Sequence, residues 1–300
     1  MQTILNLGKI KQRFNRPVVA IGIFDGLHRG HQLILRKVVK FAKEHRIKSI
    51  VITFFPHPAK EESLLSLKHR LHLIRGFGVD ICVVIGFTKK FSRITAEEFV
   101  KDILVKKFFP EAVFVGKNFT FGSSASGNVK ALGYLSNQYG FKLFSIPMVR
   151  LARDVISSTN IRAQIRNGNI FQAEKSIGRP VSVLGTVIKG SGWGRLWNVP
   201  TANINPHHEV LPAAGVYAVK IKFLGKLRKG ICYVGRVSIL KSKPRRIEVH
   251  IFNFHKKIYG KDLEILFVKK IRNELKFSSK EALIRQIRID IKKAKNILKS

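Results

Sequence analysis

The chain of 300 residues is 45% hydrophobic and carries 56 Lys and Arg against 18 Asp and Glu, a formal net charge of +38. This length suffices for one large domain or two ordinary ones, and no apolar run approaches the ~18–20 residues that cross a bilayer, so we expect no membrane span. The charge is spread from Lys9 to Lys299, which favours solvated lysine faces over a nucleic-acid-binding patch, although its field would attract anionic substrates.

A strand, a glycine-rich turn and a helix start follow one another in the stretch VVAIGIFDGLHRGHQ at 18–32. The apolar run at 18–24 is typical of a strand buried on both faces, and the apolar periodicity predicts a helix at 32–46. The unpaired N–H groups and partial positive charge of a helix start suit phosphate, and glycines let the backbone approach it closely. The candidate phosphate-binding residues of this turn are Gly22, Phe24, Asp25, Gly26 and Gly30.

Two histidines, His28 and His31, lie three positions apart at this helix start and therefore share one face. Imidazoles beside a phosphate site can donate hydrogen bonds to the charge that builds up on phosphorus during group transfer. One surface histidine and one capping histidine would explain the same spacing, so the pair alone leaves both interpretations open.

Two features bear on the cellular compartment. The strand predicted at 18–24 begins by Pro17, which leaves no room for a removable leader before it. Cys82 and Cys232 each lie within an apolar run, which favours buried, reduced thiols. We therefore expect a cytoplasmic protein.

Strands and helices alternate after the first helix. Apolar runs predict further strands at 49–55, 80–87, 112–116 and 142–147. Helices are predicted at 61–77, from the capping box of Thr95 and Glu98 to Phe108, and at 128–139. This alternation favours an α/β domain with a doubly wound parallel sheet, in which ligands bind at the loops that follow the strands.

A polar loop with two aromatic rings, KNFTFGSSASG at 117–127, follows the fourth predicted strand. An aromatic ring at a strand end could cover a flat ligand, whereas rings folded onto the core would account for the same residues. The candidate ligand-binding residues of this loop are Asn118, Phe119, Phe121, Gly122 and Gly127.

A second candidate for phosphate binding is the segment VISSTNIR at 155–162. Hydroxyls that cap a helix, together with an arginine one turn further on, can clamp a phosphate. An ordinary helix cap would show the same hydroxyls. The candidate residues are Ser157, Ser158, Thr159 and Arg162.

The pattern changes at Gly178, where we place a boundary between domains of residues 1–178 and 179–300. Beyond it, short strands are predicted in succession at 181–189, 216–223, 229–234, 246–254 and 262–268, which favours a small antiparallel β-barrel. A C-terminal helix from about Ser279 is predicted by a capping box of Ser278 and Glu281 and by an apolar stripe.

The second domain has its own candidate phosphate site in GSGWGRLWNVPTAN at 190–203. Its glycine N–H groups could hold phosphate, although a tight hairpin would explain the glycines equally well. The candidate ATP-binding residues of this segment are Gly190, Gly192, Gly194, Pro200, Thr201 and Asn203. After Pro200, Thr201 and Asn203 offer a hydroxyl and an amide oxygen, which are ligands of the kind that Mg²⁺ accepts.

A single carboxylate, Glu248, lies in the predicted strand RIEVHIF between Ile247 and Val249 and should face away from both. Beside a metal and phosphates, such a group can take a proton from an attacking hydroxyl. A solvent-facing strand glutamate is the alternative.

These motifs together resemble one enzyme family over the whole chain. GIFDGLHRGHQ carries the HxGH signature of nucleotidyltransferases, and SSTNIR and the FTFG loop are similar to further motifs of the prokaryotic bifunctional riboflavin kinase/FMN adenylyltransferase (FAD synthetase) family. From Gly190 onward, VPTAN, GVY, EVHIF, YG and IRNELKF resemble the riboflavin kinase domain of that family.

The resemblance implies two reactions: ATP-dependent phosphorylation of riboflavin to FMN at the barrel, and adenylylation of FMN to FAD, with release of pyrophosphate, at the α/β domain. It assigns Glu248 the role of base and gives Thr201 and Asn203 the contacts to Mg²⁺ and ATP. The transition state of adenylyl transfer would be stabilised by His28, His31 and Arg162. We expect ATP with Mg²⁺, riboflavin, FMN and FAD as ligands, and neither a membrane nor nucleic acid as a partner.

Two departures from the family's pattern keep alternatives open. The family commonly shows N-I-G-x-R-P-T where this chain has YVGRVSI at 233–239, so the Pro-Thr pair is missing, and Trp197-Asn198 replaces the usual Leu-Gly. One alternative is therefore an FMN adenylyltransferase with a degenerate flavin-binding barrel. A second alternative, motivated by the net charge of +38, is a basic RNA-binding protein.

Overall fold

A computed structural model describes residues 1–10, 13–58, 62–152, 154–190, 199–235 and 246–299. The chain divides into two compact units by its internal packing. The N-terminal unit comprises Met1–Glu62 and Leu67–Ser157, and the C-terminal unit comprises Ser63–Ser66 and Ser158–Ser300. In this division the residues from Ser158 to Gly178 group with the barrel, and the domain boundary near Gly178 stays a prediction.

The described residues of the N-terminal unit form the strands β1 (Gln2–Leu5), β2 (Val18–Ile21), β3 (Ser49–Phe55), β4 (Ile81–Gly86), β5 (Ala112–Gly116), β6 (Thr120–Phe121), β7 (Gly127–Asn128), β8 (Lys142–Ile146), β9 (Arg150–Leu151) and β10 (Asp154–Val155). Six of them form a parallel sheet in the order β1-β4-β3-β2-β5-β8, which confirms the predicted α/β class. The strand β2 is buried at every residue, as its apolar run requires. The strand β1 was not predicted, because only one of its four residues is buried and it forms by pairing with β4.

The helices of this unit are α1 (Arg29–Glu44), α2 (Leu67–Arg75), α3 (Ala96–Glu98), which continues as a π-helix over Phe99–Phe108, and α4 (Val129–Tyr139). The capping box of Thr95 and Glu98 is confirmed by hydrogen bonds of 2.7 and 3.1 Å in both directions. The predicted start of the first helix at residue 32 was wrong by three residues, because His28 is the extended cap and helical backbone begins at Arg29. This places His31 in the first turn, where backbone N–H groups lack helical partners.

The C-terminal unit contains α5 (Ser158–Arg166) and α6 (Ile170–Ile177), followed by the strands β11 (Ser182–Ile188), β12 (Ala202–Asn205), β13 (Gly215–Phe223), β14 (Lys226–Gly235), β15 (Arg246–Ile251) and β16 (Asp262–Arg272). These strands close an antiparallel barrel in the order β11-β12-β15-β14-β13-β16, as predicted. Buried and more exposed residues alternate along β15, as expected of a strand with one face toward a core.

A C-terminal helix, α7 (Lys280–Ile297), packs against strands of the barrel. Its Ala294 and the following Leu298 bury apolar surface against Val216 and Ile231. The predicted capping box was wrong by one residue: the cap is Ser279, whose hydroxyl accepts the N–H of Ala282 at 3.1 Å. Among the described residues, no helix combines the length and apolar character needed to cross a bilayer.

Candidate functional site

The two predicted histidines lie in a layered stack of rings at the start of α1. Their rings are nearly parallel, with centroids 3.6 Å apart and planes inclined by 21°. The ring of Phe24 meets His31 edge-on at a centroid distance of 5.4 Å. Gly22 lies against the Phe24 ring and Gly30 against the His28 ring, so a Cβ at either glycine would stand 3.2 Å from ring atoms. The two glycines therefore leave room for the stack from both ends.

Burial keeps both imidazoles neutral. It lowers the pKa of His28 to about 4 and lowers the pKa of His31 well below its usual value, an effect to which His28 and Arg70 add. Both Nδ1 atoms are buried and find no hydrogen-bond partner in the part of the chain that the structure describes. Because a buried N–H without an acceptor is costly, this favours the tautomer with the proton on Nε2. Each neutral ring can then donate a hydrogen bond to developing negative charge.

The turn between β2 and α1 has a strained backbone. Phe24, Gly26 and Leu27 adopt positive φ angles of 55°, 79° and 40°, a conformation that is costly for the two residues with a Cβ. The side-chain amide of Gln32 donates to the Leu27 carbonyl at 2.9 Å, so the first helical turn holds this segment in place. Asp25 is buried within it. Backbone strain of this kind is common where a turn shapes a ligand site.

The aromatic loop between β5 and α4 packs on the core. Phe121 is buried and its ring stacks with Phe119 at a centroid distance of 5.5 Å. A Cβ at Gly122 would stand 2.6 Å from the Ala96 nitrogen, and one at Gly127 would stand 2.9 Å from the Ala96 Cβ. Both glycines thus allow the loop to lie directly on the start of α3. Asn118 is exposed, and a role of the five loop residues in binding a flat ligand stays a prediction.

The residues of the SSTNIR segment lie at the start of α5. The helix begins at Ser158, Thr159 is exposed on its first turn, and Arg162 is 4% exposed in the second. Ser157 ends the N-terminal unit, whereas the other three belong to the C-terminal unit. The hydroxyls and the guanidinium thus occupy one helix start, and their action on a phosphate beside the histidines stays a prediction.

In the barrel, Glu248 stands at the centre of a row of side chains from three adjacent strands. It lies directly opposite Asn203 of β12 on one side and Tyr233 of β14 on the other, and opposed residues of antiparallel strands share a face. Burial raises the pKa of the half-buried Glu248, while Arg246 opposes this effect. A carboxylate with a raised pKa is a better proton acceptor than a solvated one.

The segment that leads into β12 is held beside this row. The Pro200 carbonyl accepts a hydrogen bond from His250 Nδ1 at 2.8 Å, which fixes the residue before Thr201. The Asn203 side chain lies directly against Gly190, where a Cβ would overlap it. Gly192 and Gly194 lie outside the described residues. Hydroxyl and amide oxygens are ligands that Mg²⁺ accepts, and the binding of Mg²⁺ by Thr201 and Asn203 stays a prediction.

Sequence reasoning missed two side chains that the structure brings into these surroundings. Arg70 of α2 is buried near His31, and Tyr233 lies beside Glu248 and donates a hydrogen bond from its hydroxyl to Glu274. Arg70 looks like any other basic residue of a predicted helix, so no local signal could have identified it. The position of Tyr233 follows from the pairing of β14 with β15, which a register prediction would have given.

Two family models match the chain, one over the region of the parallel sheet and the other over the region of the barrel. The model described as FAD synthetase matches residues 10–160, and the model described as riboflavin kinase matches residues 177–298.

Full-length relatives match as well. The bifunctional riboflavin kinase/FMN adenylyltransferase of Buchnera aphidicola subsp. Schizaphis graminum is 38% identical over 97% of both chains, and that of Haemophilus influenzae is 33% identical over 100% of both. The crystal structure of a macrolide-efflux protein from Streptococcus pneumoniae covers 97% of both chains with a TM-score of 0.83 and 29% identity. From these matches and the order of its two units, this chain belongs to the bifunctional riboflavin kinase/FMN adenylyltransferase family.

Proposed function

We propose that the chain converts riboflavin to FAD in two steps at two separate sites. At the barrel, the 5′-hydroxyl oxygen of riboflavin attacks the γ-phosphorus of ATP, ADP leaves, and Glu248 takes the hydroxyl proton. At the α/β unit, a phosphate oxygen of FMN attacks the α-phosphorus of a second ATP and pyrophosphate leaves. Neither step needs a nucleophilic side chain, because each substrate supplies the attacking oxygen.

The observation that carries the adenylyl-transfer assignment is the pair of stacked, neutral histidines at a helix start. Negative charge on the α-phosphate oxygens grows as the fifth oxygen approaches phosphorus. Preorganised hydrogen-bond donors within reach of these oxygens stabilise that charge. Two imidazole N–H groups and the N–H groups of the first turn of α1 supply such donors. The proposal also gives Arg162, with the hydroxyls before it, the role of a phosphate clamp.

The kinase assignment rests on the row of Asn203, Glu248 and Tyr233. In this proposal Thr201 and Asn203 would hold Mg²⁺, whose charge would offset that of the ATP phosphates. Glu248 orients the riboflavin hydroxyl and accepts its proton, and its partial burial limits competition from water. The hydrogen bond from His250 to Pro200 keeps the metal-binding segment against this row.

Two substitutions in the full-length chain test the proposal, because each site serves as the control for the other. We expect His31→Ala to slow FAD formation from FMN by roughly 10²–10³, the usual effect of losing one transition-state donor, and to leave FMN formation intact. We expect Glu248→Gln to slow FMN formation by about 10²–10⁴ and to leave FAD formation from added FMN intact. His45→Ala, at the exposed end of α1, is the matched control and should change neither rate.

Loss of both activities in either variant would indicate a folding defect, which far-UV circular dichroism would reveal. Unchanged FAD synthesis by folded His31→Ala protein would refute the histidine assignment. Unchanged FMN synthesis by Glu248→Gln would refute the role of Glu248 as base.

A further inference from the structure

A buried arginine joins the end of β3 to the segment that follows β2. Arg70 of α2 is 0% exposed. Its Nη1 donates to the carbonyls of Ile23 and Phe54 at 2.8 and 3.1 Å, and to the hydroxyl of Thr53 at 3.2 Å. The Thr53 hydroxyl in turn donates to the Ile23 carbonyl at 2.8 Å. One guanidinium nitrogen thus ties the carboxyl end of β3 to the residue that precedes Phe24.

The other two nitrogens of this guanidinium gain no hydrogen bonds from the described part of the chain that would offset their loss of contact with water. Its Nε and Nη2 atoms are buried and have no hydrogen-bond partner among the described residues. Moving a charged group out of water is costly, and a well-packed apolar side chain in such a place is often as stable or more stable. Apolar packing alone therefore does not require a charged side chain at this position.

The position of Arg70 relates it to the adenylyl-transfer site. The helix α2 packs against the Asp25–Leu27 turn, and the charge of Arg70 interacts with Asp25 and with His31. Because His28 and His31 are neutral, they supply hydrogen bonds but no net positive charge. A fixed cation in a medium of low dielectric constant contributes to the potential felt by a phosphate at the turn.

We propose that Arg70 is a positioning residue for adenylyl transfer, which anchors the Ile23 carbonyl before the strained turn and holds a positive charge near His31. The inference rests on the proposed function of this site. Arg70 acts through the turn and the stack, because its buried nitrogens do not reach solvent. Its contribution is therefore expected in the rate of the chemical step more than in substrate binding.

The test compares Arg70→Met and Arg70→Lys in the full-length chain, with Arg75→Met as the matched control on the exposed end of the same helix. Methionine fills similar space without a charge, whereas a lysine ammonium keeps the charge and has donors for the same acceptors. The measured quantities are kcat and KM for FAD formation from FMN and ATP, the rate of FMN formation from riboflavin, and thermal unfolding.

We expect Arg70→Met to lower kcat for FAD formation about 10- to 100-fold, with KM for FMN changed less than about 3-fold. Arg70→Lys should recover kcat to within about 5-fold of the wild type, and FMN formation should be unchanged in all variants. An unchanged kcat in Arg70→Met would overturn the inference, as would equal losses in folded Lys and Met variants. Wild-type protein that makes no FAD from FMN would instead overturn the proposed function together with this inference.

Discussion

Burial shifts the pKa values of the candidate catalytic histidines and of the candidate catalytic glutamate in opposite directions. It disfavours the charged form of each group, so it lowers the pKa of His28 and His31 and raises the pKa of Glu248. At neutral pH the histidines are consequently uncharged hydrogen-bond donors. The Glu248 carboxylate has more than the usual affinity for a proton, because burial raises its pKa. Each state suits the role proposed for it.

This shift predicts the pH dependence of the kinase step. Because the pKa of Glu248 is raised, the carboxylate becomes protonated at a higher pH than an ordinary glutamate as the solution is acidified. We expect kcat for FMN formation, measured from about pH 8 down to pH 5, to fall along an acid limb that lies above the usual glutamate pKa. The residual activity of Glu248→Gln should lack this limb. An identical limb in that variant would assign the titration to another group.

The sequence singled out individual residues where their neighbours in the chain are also unusual. His28 and His31 were identifiable because glycines flank them, and the structure shows that Gly22 and Gly30 make space for the rings. Arg70 was not identifiable, because the chain has 56 Lys and Arg and only the packing of α2 buries this one. Burial of a single charge depends on tertiary structure, which local patterns do not encode.

Gly190 follows strand β11 and contacts Asn203 of β12. This contact between the two elements limits which residues can replace Gly190. The Asn203 side chain occupies the space that a Cβ would take, so Gly190→Ala must displace Asn203. We expect this substitution to raise KM for MgATP in FMN formation by about tenfold or more, equal to about 1.4 kcal/mol or more, and to leave FAD formation unchanged.

Gly133→Ala is the control for this prediction. It lies in α4, where an added Cβ would have only an ordinary contact at 3.8 Å with Leu143. We expect wild-type kinetics for both reactions from this variant. If Gly190→Ala left KM for MgATP unchanged, Asn203 would not be a metal–ATP ligand.

The C-terminal helix is fastened to the barrel by a buried ion pair. Arg272 of β16 donates from Nε and Nη2 to the same Asp290 oxygen at 2.8 Å each, and Gln286 donates to the other oxygen at 2.9 Å. Asp290 is 1% exposed, so its removal leaves a largely buried guanidinium without its partner.

We expect Asp290→Ala to destabilise the barrel by about 3–5 kcal/mol, the usual cost of removing one partner of a buried pair. Urea unfolding followed by circular dichroism measures this loss. The control is Asp102→Ala, which breaks an exposed ion pair between Asp102 and Lys106 within the π-helix of the N-terminal unit. This substitution should not measurably change the unfolding midpoint. Equal unfolding midpoints for Asp290→Ala and the wild type would contradict the anchoring role.

Helix and strand boundaries were predicted less well than the elements themselves. The sequence offers two serines in succession before α7, and only the observed hydrogen bond to Ala282 identifies Ser279 as the cap. The helix predicted at 61–77 is shortened to Leu67–Arg75, since Ser63–Ser66 joins the C-terminal unit through pairing with Glu209. Such pairing is long-range and has no local signature.

For the whole molecule, the order of elements carried most of the information. Alternating strands and helices predicted the parallel sheet, and the later run of short strands predicted the barrel, because each pattern can bury its apolar faces in few ways. The net charge of +38 was less informative, since it describes a surface and not a fold. The Pro-Thr pair that the family commonly has after Gly235 is missing here, and the segment at 236–245 lies outside the described residues.

We expect both sites of this chain to be active and to work in succession. Purified full-length protein supplied with riboflavin, ATP and Mg²⁺ tests it most directly, with products separated by chromatography over time and the Glu248→Gln/His31→Ala double variant as the control for contaminating enzymes. We predict that FMN forms first and is then converted to FAD, and that chelation of the divalent ion stops both steps. Riboflavin that remains unchanged while added FMN becomes FAD would contradict the claim and leave an adenylyltransferase with an inactive barrel.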